Sequence, residues 1–260
     1  MLFRSVGRNL QDHLGALVSN LRPVAGPFRR EMRFDRMMLN MTRAYLFGTG
    51  PATRLPGGMH GYFKTDSKLS TPDIQFMFRG VSVAPHLWFP GFKDAYVDHC
   101  GIRVNILHPE SRGYIALRSA DPFERVRIVS NFLSEPADLD TMVAGVRFAR
   151  EIMAQRALSE FRGDEIAPKP QRQSAADIKE WLKTAVTTVH HPSGTCAMGS
   201  GADAVVGEDL RVKGTEGLRV VDGSVMPDLV SGNINACVLM IAEKASDHIL
   251  GQKLLAPAQI

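Results

Sequence analysis

Residues 189–199 read VHHPSGTCAMG. Two adjacent histidines, a proline, two glycines and hydroxyl side chains crowd into this run. It is too broken for a helix interior and too rich in glycine for a long strand. A tight loop is expected, one that brings backbone and a titratable ring close to something bound. Pro192 restricts the preceding residue, His191, to extended backbone. An imidazole on such an exposed loop is a candidate general acid or base near neutral pH. His190 points the other way in an extended segment and is read as a neighbour of the base. Gly194 and Gly199 let backbone approach a flat or charged ligand.

The second chemical stretch is residues 218–250, LRVVDGSVMPDLVSGNINACVLMIAEKASDHIL. Residues 218–222 form a short apolar run that ends in Asp222-Gly223, a common ligand-contact position at a strand end. Asn233 and Asn235 precede an apolar helix spanning residues 236–250. The start of that helix directs free N–H groups and partial positive charge at whatever lies in front of it. It suits negative charge on a bound ring, such as the pyrimidine side of a reduced flavin. The two stretches are expected to form one redox site, with the rest of the chain shaping a substrate pocket.

Other chemistries are weaker. Residues 199–204 (GSGADA) match GxGxxA, with Asp222 at a suitable distance. A dinucleotide loop must follow an apolar strand and open a helix, and this one follows a Gly/Thr loop. His190 and His191 diverge, and no clustered ligand accompanies them, so no metal site is expected. Ser193 and Ser224 lack a nucleophile elbow. Cys196 reads as a small buried side chain.

The elements that position this chemistry follow from periodicity. Residues 33–47 suggest a helix, and the Gly/Pro-rich stretch after it is loop material. Period-two alternation at 60–65, 73–78 and 101–107 predicts strands with one buried face, and 113–118 and 125–129 continue the series. Short turns between them argue for an antiparallel sheet. Residues 136–153 have helical spacing, with Ser134 as a candidate N-cap. Residues 174–186 form a second helix with Ser174 and Asp177 as an approximate capping box. Ile178, Trp181, Leu182, Ala185 and Val186 make its apolar stripe.

The chain has 260 residues, 44% of them hydrophobic and 22% charged, as expected of a globular protein with a sizeable core. Its formal net charge of +4 is not gathered into a block. The arginine-rich stretch 22–43 reads as a solvated surface, with an anionic membrane patch as the sharper reading. No nucleic-acid module accompanies it. Three widely spaced cysteines suggest neither a disulfide framework nor zinc, and a reducing compartment follows. No signal peptide or long apolar span is evident.

Taken in order, VGRNLQDH, LHPESRGYIALRSADP, VRFAREI, HHPSGTCAMG and LRVVDGSVMPDLVSGNINACVLMIAEKASD resemble the C-terminal part of a glucose–methanol–choline (GMC) oxidoreductase, choline or alcohol dehydrogenase-like. The resemblance spans nearly the whole chain. It implies FAD as cofactor and oxidation of a small alcohol to an aldehyde or ketone by hydride transfer to flavin N5. It makes His191 the catalytic base and Asn233 its partner on the substrate oxygen. It places Asp222, Gly223, Asn235 and Ala236 along the flavin.

The implied fold is α+β. Residues 1–13 and 185–252 would be the C-terminal remnant of an α/β FAD-binding domain, and residues 14–184 an antiparallel-sheet substrate-binding domain flanked by helices. Residues 253–260 would be a tail. The family's N-terminal FAD-binding half has no counterpart, because no strand–GxGxxG–helix unit occurs. That half is therefore an expected partner, beside the alcohol and an electron acceptor such as a quinone or carrier. The alternative is a non-catalytic remnant or interaction module that holds no FAD alone. The expected location is cytoplasmic, with peripheral contact at an inner membrane as the variant. A cation site for choline would need aromatic or acidic groups, and Trp88, Phe89 and Phe92 are candidates.

Overall fold

A computed structural model describes residues 4–54 and 58–253. In chain order its elements are strand β1 (Leu14–Leu21), helices α1 (Pro27–Glu31) and α2 (Phe34–Phe47), and strands β2 (His60–Phe63), β3 (Ile74–Arg79), β4 (His99–Ile106), β5 (Tyr114–Ala116) and β6 (Arg127–Val129). Helix α3 (Pro136–Met153), strand β7 (Glu165–Ala167), helix α4 (Ala175–Ala185), strand β8 (Thr187–Thr188) and helix α5 (Asn235–Leu250) follow. Two compact units form: residues 15–105 with 140–185, and residues 1–14 with 106–139 and 186–260. From residue 254 onward the expected tail lies outside the described residues.

The first unit is built on a sheet with strand order β2-β3-β4-β1-β7, in which β2–β3 and β1–β7 are antiparallel. The α+β, antiparallel-sheet architecture read from the sequence is what the structure has. Helix α3 buries Met142, Val143, Val146, Ala149 and Met153, the stripe its spacing predicts. A Cβ on Gly145 would lie 2.5 Å from Val104 Cγ1, so the helix lies against its sheet at a distance only glycine allows. Phe63 and Phe148 stack with ring centroids 4.1 Å apart.

The opposite face departs from the expected single buried side. Gln75 and Asn105 are buried as deeply as their apolar neighbours. They are satisfied by each other and by Tyr62: Asn105 Nδ2 donates to Gln75 Oε1 at 3.3 Å, and Gln75 Nε2 donates to the Tyr62 hydroxyl at 3.0 Å. Buried amides are tolerated when paired in this way.

Helix α4 starts with the expected box. The Asp177 backbone N–H donates to Ser174 Oγ at 3.1 Å, and the Ser174 N–H donates back to Asp177 Oδ2 at 3.2 Å. Helix α2 lies where its spacing predicts but buries none of its residues. Phe34, Met38, Met41 and Tyr45 form an exposed apolar stripe, with Arg36 and Arg43 across the helix.

The second unit holds both chemical stretches. The β5–β6 hairpin pairs Tyr114 with Val129 and Ile115 with Ile128. Residues 106–139, read from the sequence as part of the 14–184 stretch, pack here. Residues 7–11 run between two partners. Leu10 and Gly113 exchange backbone hydrogen bonds, as do Gln11 and Ser193. An apolar cluster of Val205, Val206, Leu210, Val212, Val225, Met226, Ile241 and Ala245 supports α5.

The strand expected at 218–222 does not form; an isolated bridge from Arg219 to Arg211 takes its place. The residues have strand composition, but a strand needs a ladder. Among the described residues none runs beside them for more than this one pair.

Candidate active site

The loop at 189–199 is held from the opposite end of the sequence. Asp12 Oδ1 accepts the backbone N–H of His191 at 2.9 Å, and Oδ2 accepts the Thr188 hydroxyl. Thr188 Oγ1 in turn accepts the His190 N–H at 2.8 Å. His190 has φ 65°, in the left-handed region, and its side chain is exposed. One histidine is exposed and the other buried, although His190 does not have the extended backbone expected of it. Gly194 has φ 86°, and a Cβ there would meet Asn9 O at 2.4 Å. Both the handedness and the space require glycine at this position.

His191 is not on an exposed loop, as its neighbours suggested, but is only 9% exposed. Its ring nitrogens have different partners. Nδ1 lies 2.8 Å from His13 Nδ1, and Nε2 lies 3.3 Å from Asn233 Nδ2. Burial is the main reason that the His191 pKa falls below its ordinary value. Asp12 opposes the fall and His190 adds to it. At neutral pH the ring is therefore neutral and able to accept a proton.

His13 is 1% exposed. Its Nε2 lies 3.1 Å from Leu107 O and 3.0 Å from Val230 O. Burial, then the nearby His191, push its pKa down to about 4. Sequence inspection passed over His13, although it ends the quoted NLQDH run. Its partner is 178 positions away, and nothing local in the sequence signals the pairing.

Of the other sequence-derived residues, the structure brings Asn233 and Gly223 to this pair or its loop. Asp222 caps a short turn through Ser224 N at 2.7 Å. That turn joins the histidine loop, since Cys196 N donates to Ser224 O at 2.9 Å and Met198 N to Val225 O at 2.8 Å. A Cβ on Gly223 would lie 3.5 Å from Pro192 O, so Gly223 sits beside the same loop. Asn233 contacts His191 directly. Asn235 and Ala236 are exposed on the first turn of α5, whose N-cap position is Ile234, with no side-chain cap. Burial pushes the half-buried Cys196 thiol up, against a thiolate role. Among the described residues no cluster of His, Cys, Asp and Glu is placed to hold a metal ion.

These residues fit the ring end of a flavin. The α5 start, without a side-chain cap, offers unused N–H groups, and a small residue, Gly223, lies beside the histidine loop. Ser193 Oγ is also buried there without a hydrogen-bond partner.

A family model described as GMC oxidoreductase matches residues 109–242, more than half of the chain. The chain belongs to the GMC oxidoreductase family. Human mitochondrial choline dehydrogenase is 38% identical over 255 residues, which cover 96% of this chain and 42% of that protein. The oxygen-dependent choline dehydrogenase of Staphylococcus xylosus is 35% identical over 98% of this chain and 45% of its own length. Among solved structures, pyridoxine 4-oxidase from Mesorbium loti superposes with a TM-score of 0.74 at 27% identity, covering 97% of this chain and 45% of that one. A formate oxidase from Aspergillus oryzae shares the fold, with a TM-score of 0.79 at 22% identity over 96% of this chain and 48% of that one. The chain thus spans a little under half the length of the curated relatives it matches. No helix among the described residues is long and apolar enough to cross a membrane.

Proposed function

We propose that this chain carries the catalytic base and substrate-facing part of an FAD-dependent alcohol oxidoreductase, one that converts a small alcohol to its aldehyde or ketone. The observation that carries the proposal is the pairing of His191 Nε2 with Asn233 Nδ2 at 3.3 Å. That hydrogen bond is long, so a substrate hydroxyl can replace it. His191 then takes the hydroxyl proton at Nε2, and the Asn233 amide holds the same oxygen in place. A positioned base of this kind contributes about 10²–10⁴-fold. Bound FAD would supply the two-electron acceptor for the substrate hydride. Gly223, Asp222, Asn235, Ala236 and the free start of α5 would hold its ring end. Membership of the family and similarity to choline dehydrogenases support this reading. The partners proposed are the alcohol, an electron acceptor such as a quinone or carrier, and the N-terminal FAD-binding half that the family's longer members carry.

A second reading concerns the 260-residue chain by itself. Leu239, Met240, Ile249 and Leu250 of α5 are exposed, and the run at 218–222 lacks a ladder. Such a surface favours association, and a chain in that state is an interaction module without flavin. The deciding experiment adds FAD to the purified chain and records its absorbance before and after anaerobic addition of alcohols. We expect little bound flavin and no bleaching. A tightly held flavin that bleaches would make the chain self-sufficient.

The exposed apolar stripe of α2, on a helix that lies within the arginine-rich stretch 22–43, favours peripheral contact of a cytoplasmic protein with an anionic inner-membrane surface.

A further inference from the structure

We infer that His13 is a positioning residue that sets the tautomer of His191, placing the proton on Nδ1 and leaving the Nε2 lone pair to face Asn233. The inference rests on the reading of His191 as the base, and it adds what makes Nε2 the basic nitrogen.

The assignment follows from which atoms can donate. His13 Nε2 faces two backbone carbonyl oxygens, Leu107 O at 3.1 Å and Val230 O at 3.0 Å. Carbonyl oxygens only accept, so Nε2 of His13 must carry hydrogen, shared between them. A neutral imidazole has one N–H. The other nitrogen of His13, Nδ1, therefore holds a lone pair, and it lies 2.8 Å from His191 Nδ1. Two lone pairs cannot face each other at that distance, so His191 Nδ1 is the donor. Neutral His191 then has its lone pair on Nε2, towards which Asn233 directs its amide N–H. Every hydrogen bond in the chain Leu107/Val230–His13–His191–Asn233 has one donor and one acceptor.

The competing assignment requires His13 to be a cation. It would then donate from both nitrogens, and His191 would accept at Nδ1 and carry its proton on Nε2, unable to act as base there. Deep burial, with His191 and His108 nearby, opposes that cation. The neutral form also serves the reaction: when His191 gains a proton at Nε2, its Nδ1–H keeps the acceptor it already had. No reorganisation is needed at the moment of transfer.

The test is ¹⁵N spectroscopy of the histidine rings in the full chain near pH 7.5, with signals assigned through His13→Asn and His191→Asn variants. The expected wild-type spectrum has His191 protonated at Nδ1 and bare at Nε2, and His13 the reverse. His13→Phe removes the acceptor, and His191 then samples both tautomers. His13→Asn retains an oxygen near the Nδ1 position and restores the wild-type His191 pattern. A wild-type His191 protonated at Nε2, or an unchanged His191 pattern in folded His13→Phe, would overturn the inference. If His13→Phe does not fold, the wild-type spectrum alone decides. The readout needs no turnover, so a tautomer that stands while His191→Ala retains activity would sink the functional reading and leave this one intact.

Discussion

Asp12 and His191 are joined through the main chain: the carboxylate accepts the His191 N–H at 2.9 Å, and its second oxygen accepts the Thr188 hydroxyl. One side chain thereby fixes both sides of the turn that presents the imidazole. Its charge also favours protonated His191, against the burial that disfavours it. Asp12→Ala removes both effects. It should cost ~1–3 kcal/mol of stability, the usual range for a lost partner of a buried donor. It should also lower the His191 pKa further, as read by NMR titration. A raised or unchanged His191 pKa in the variant would contradict this.

Gly194 supports the same loop by fitting where no side chain fits. Gly194→Ala forces a Cβ against Asn9 O at 2.4 Å in a left-handed backbone. A loss of at least ~1–3 kcal/mol is expected in denaturant melts. Gly201→Ala, where a Cβ meets open space, should be close to neutral. Equal effects of the two substitutions would contradict the close approach of residues 9 and 194.

His13 links stability to pH. Its folded pKa of about 4 lies below its ordinary value of 6.5. Between those values the unfolded chain binds the proton and the folded chain does not, so stability falls as pH drops from about 6.5 to about 4 and levels off below. The slope for a single group is about 1.4 kcal/mol per pH unit. His191 is shifted in the same direction and adds to the slope. Unfolding midpoints at several pH values should show a shallower acid loss in His13→Asn than in the wild type. Parallel curves would rule out His13 as a source of the loss.

Much of this was legible in the sequence, for reasons that differ by residue. Helix α3 was readable because Met142, Val146, Ala149 and Met153 recur at helical spacing, and α4 because its capping box is local. Strand β1 was not readable. LGALVSNL buries residues of both parities, Leu14, Ala16 and Val18 as well as Ser19, so it lacks the alternation that marks a half-buried strand. Residues 218–222 had the composition of a strand, and composition does not supply a neighbour. His191 and Asn233 were found through motifs, and the structure brings them together. The partnership of His13 with His191 escaped because it depends on chain crossing from residue 13 to residue 191.

The exposed face of α2 gives a further expectation. Vesicles containing anionic lipid should retain the chain, and replacing Met38, Met41 and Tyr45 with serine should reduce retention without changing the fold. Retention equal to that of neutral vesicles would exclude the proposed membrane contact.

The most direct test of the central claim is anaerobic flavin reduction by alcohol, measured in stopped flow. The protein would be this chain completed by an N-terminal FAD-binding half from a choline dehydrogenase relative, as wild type and as His191→Ala. The account predicts rapid bleaching in the wild type and a loss of about 10²–10⁴-fold in the variant, with flavin content unchanged. Near-normal reduction in His191→Ala would show that the proton leaves by another route and would contradict the assignment of His191 as the base.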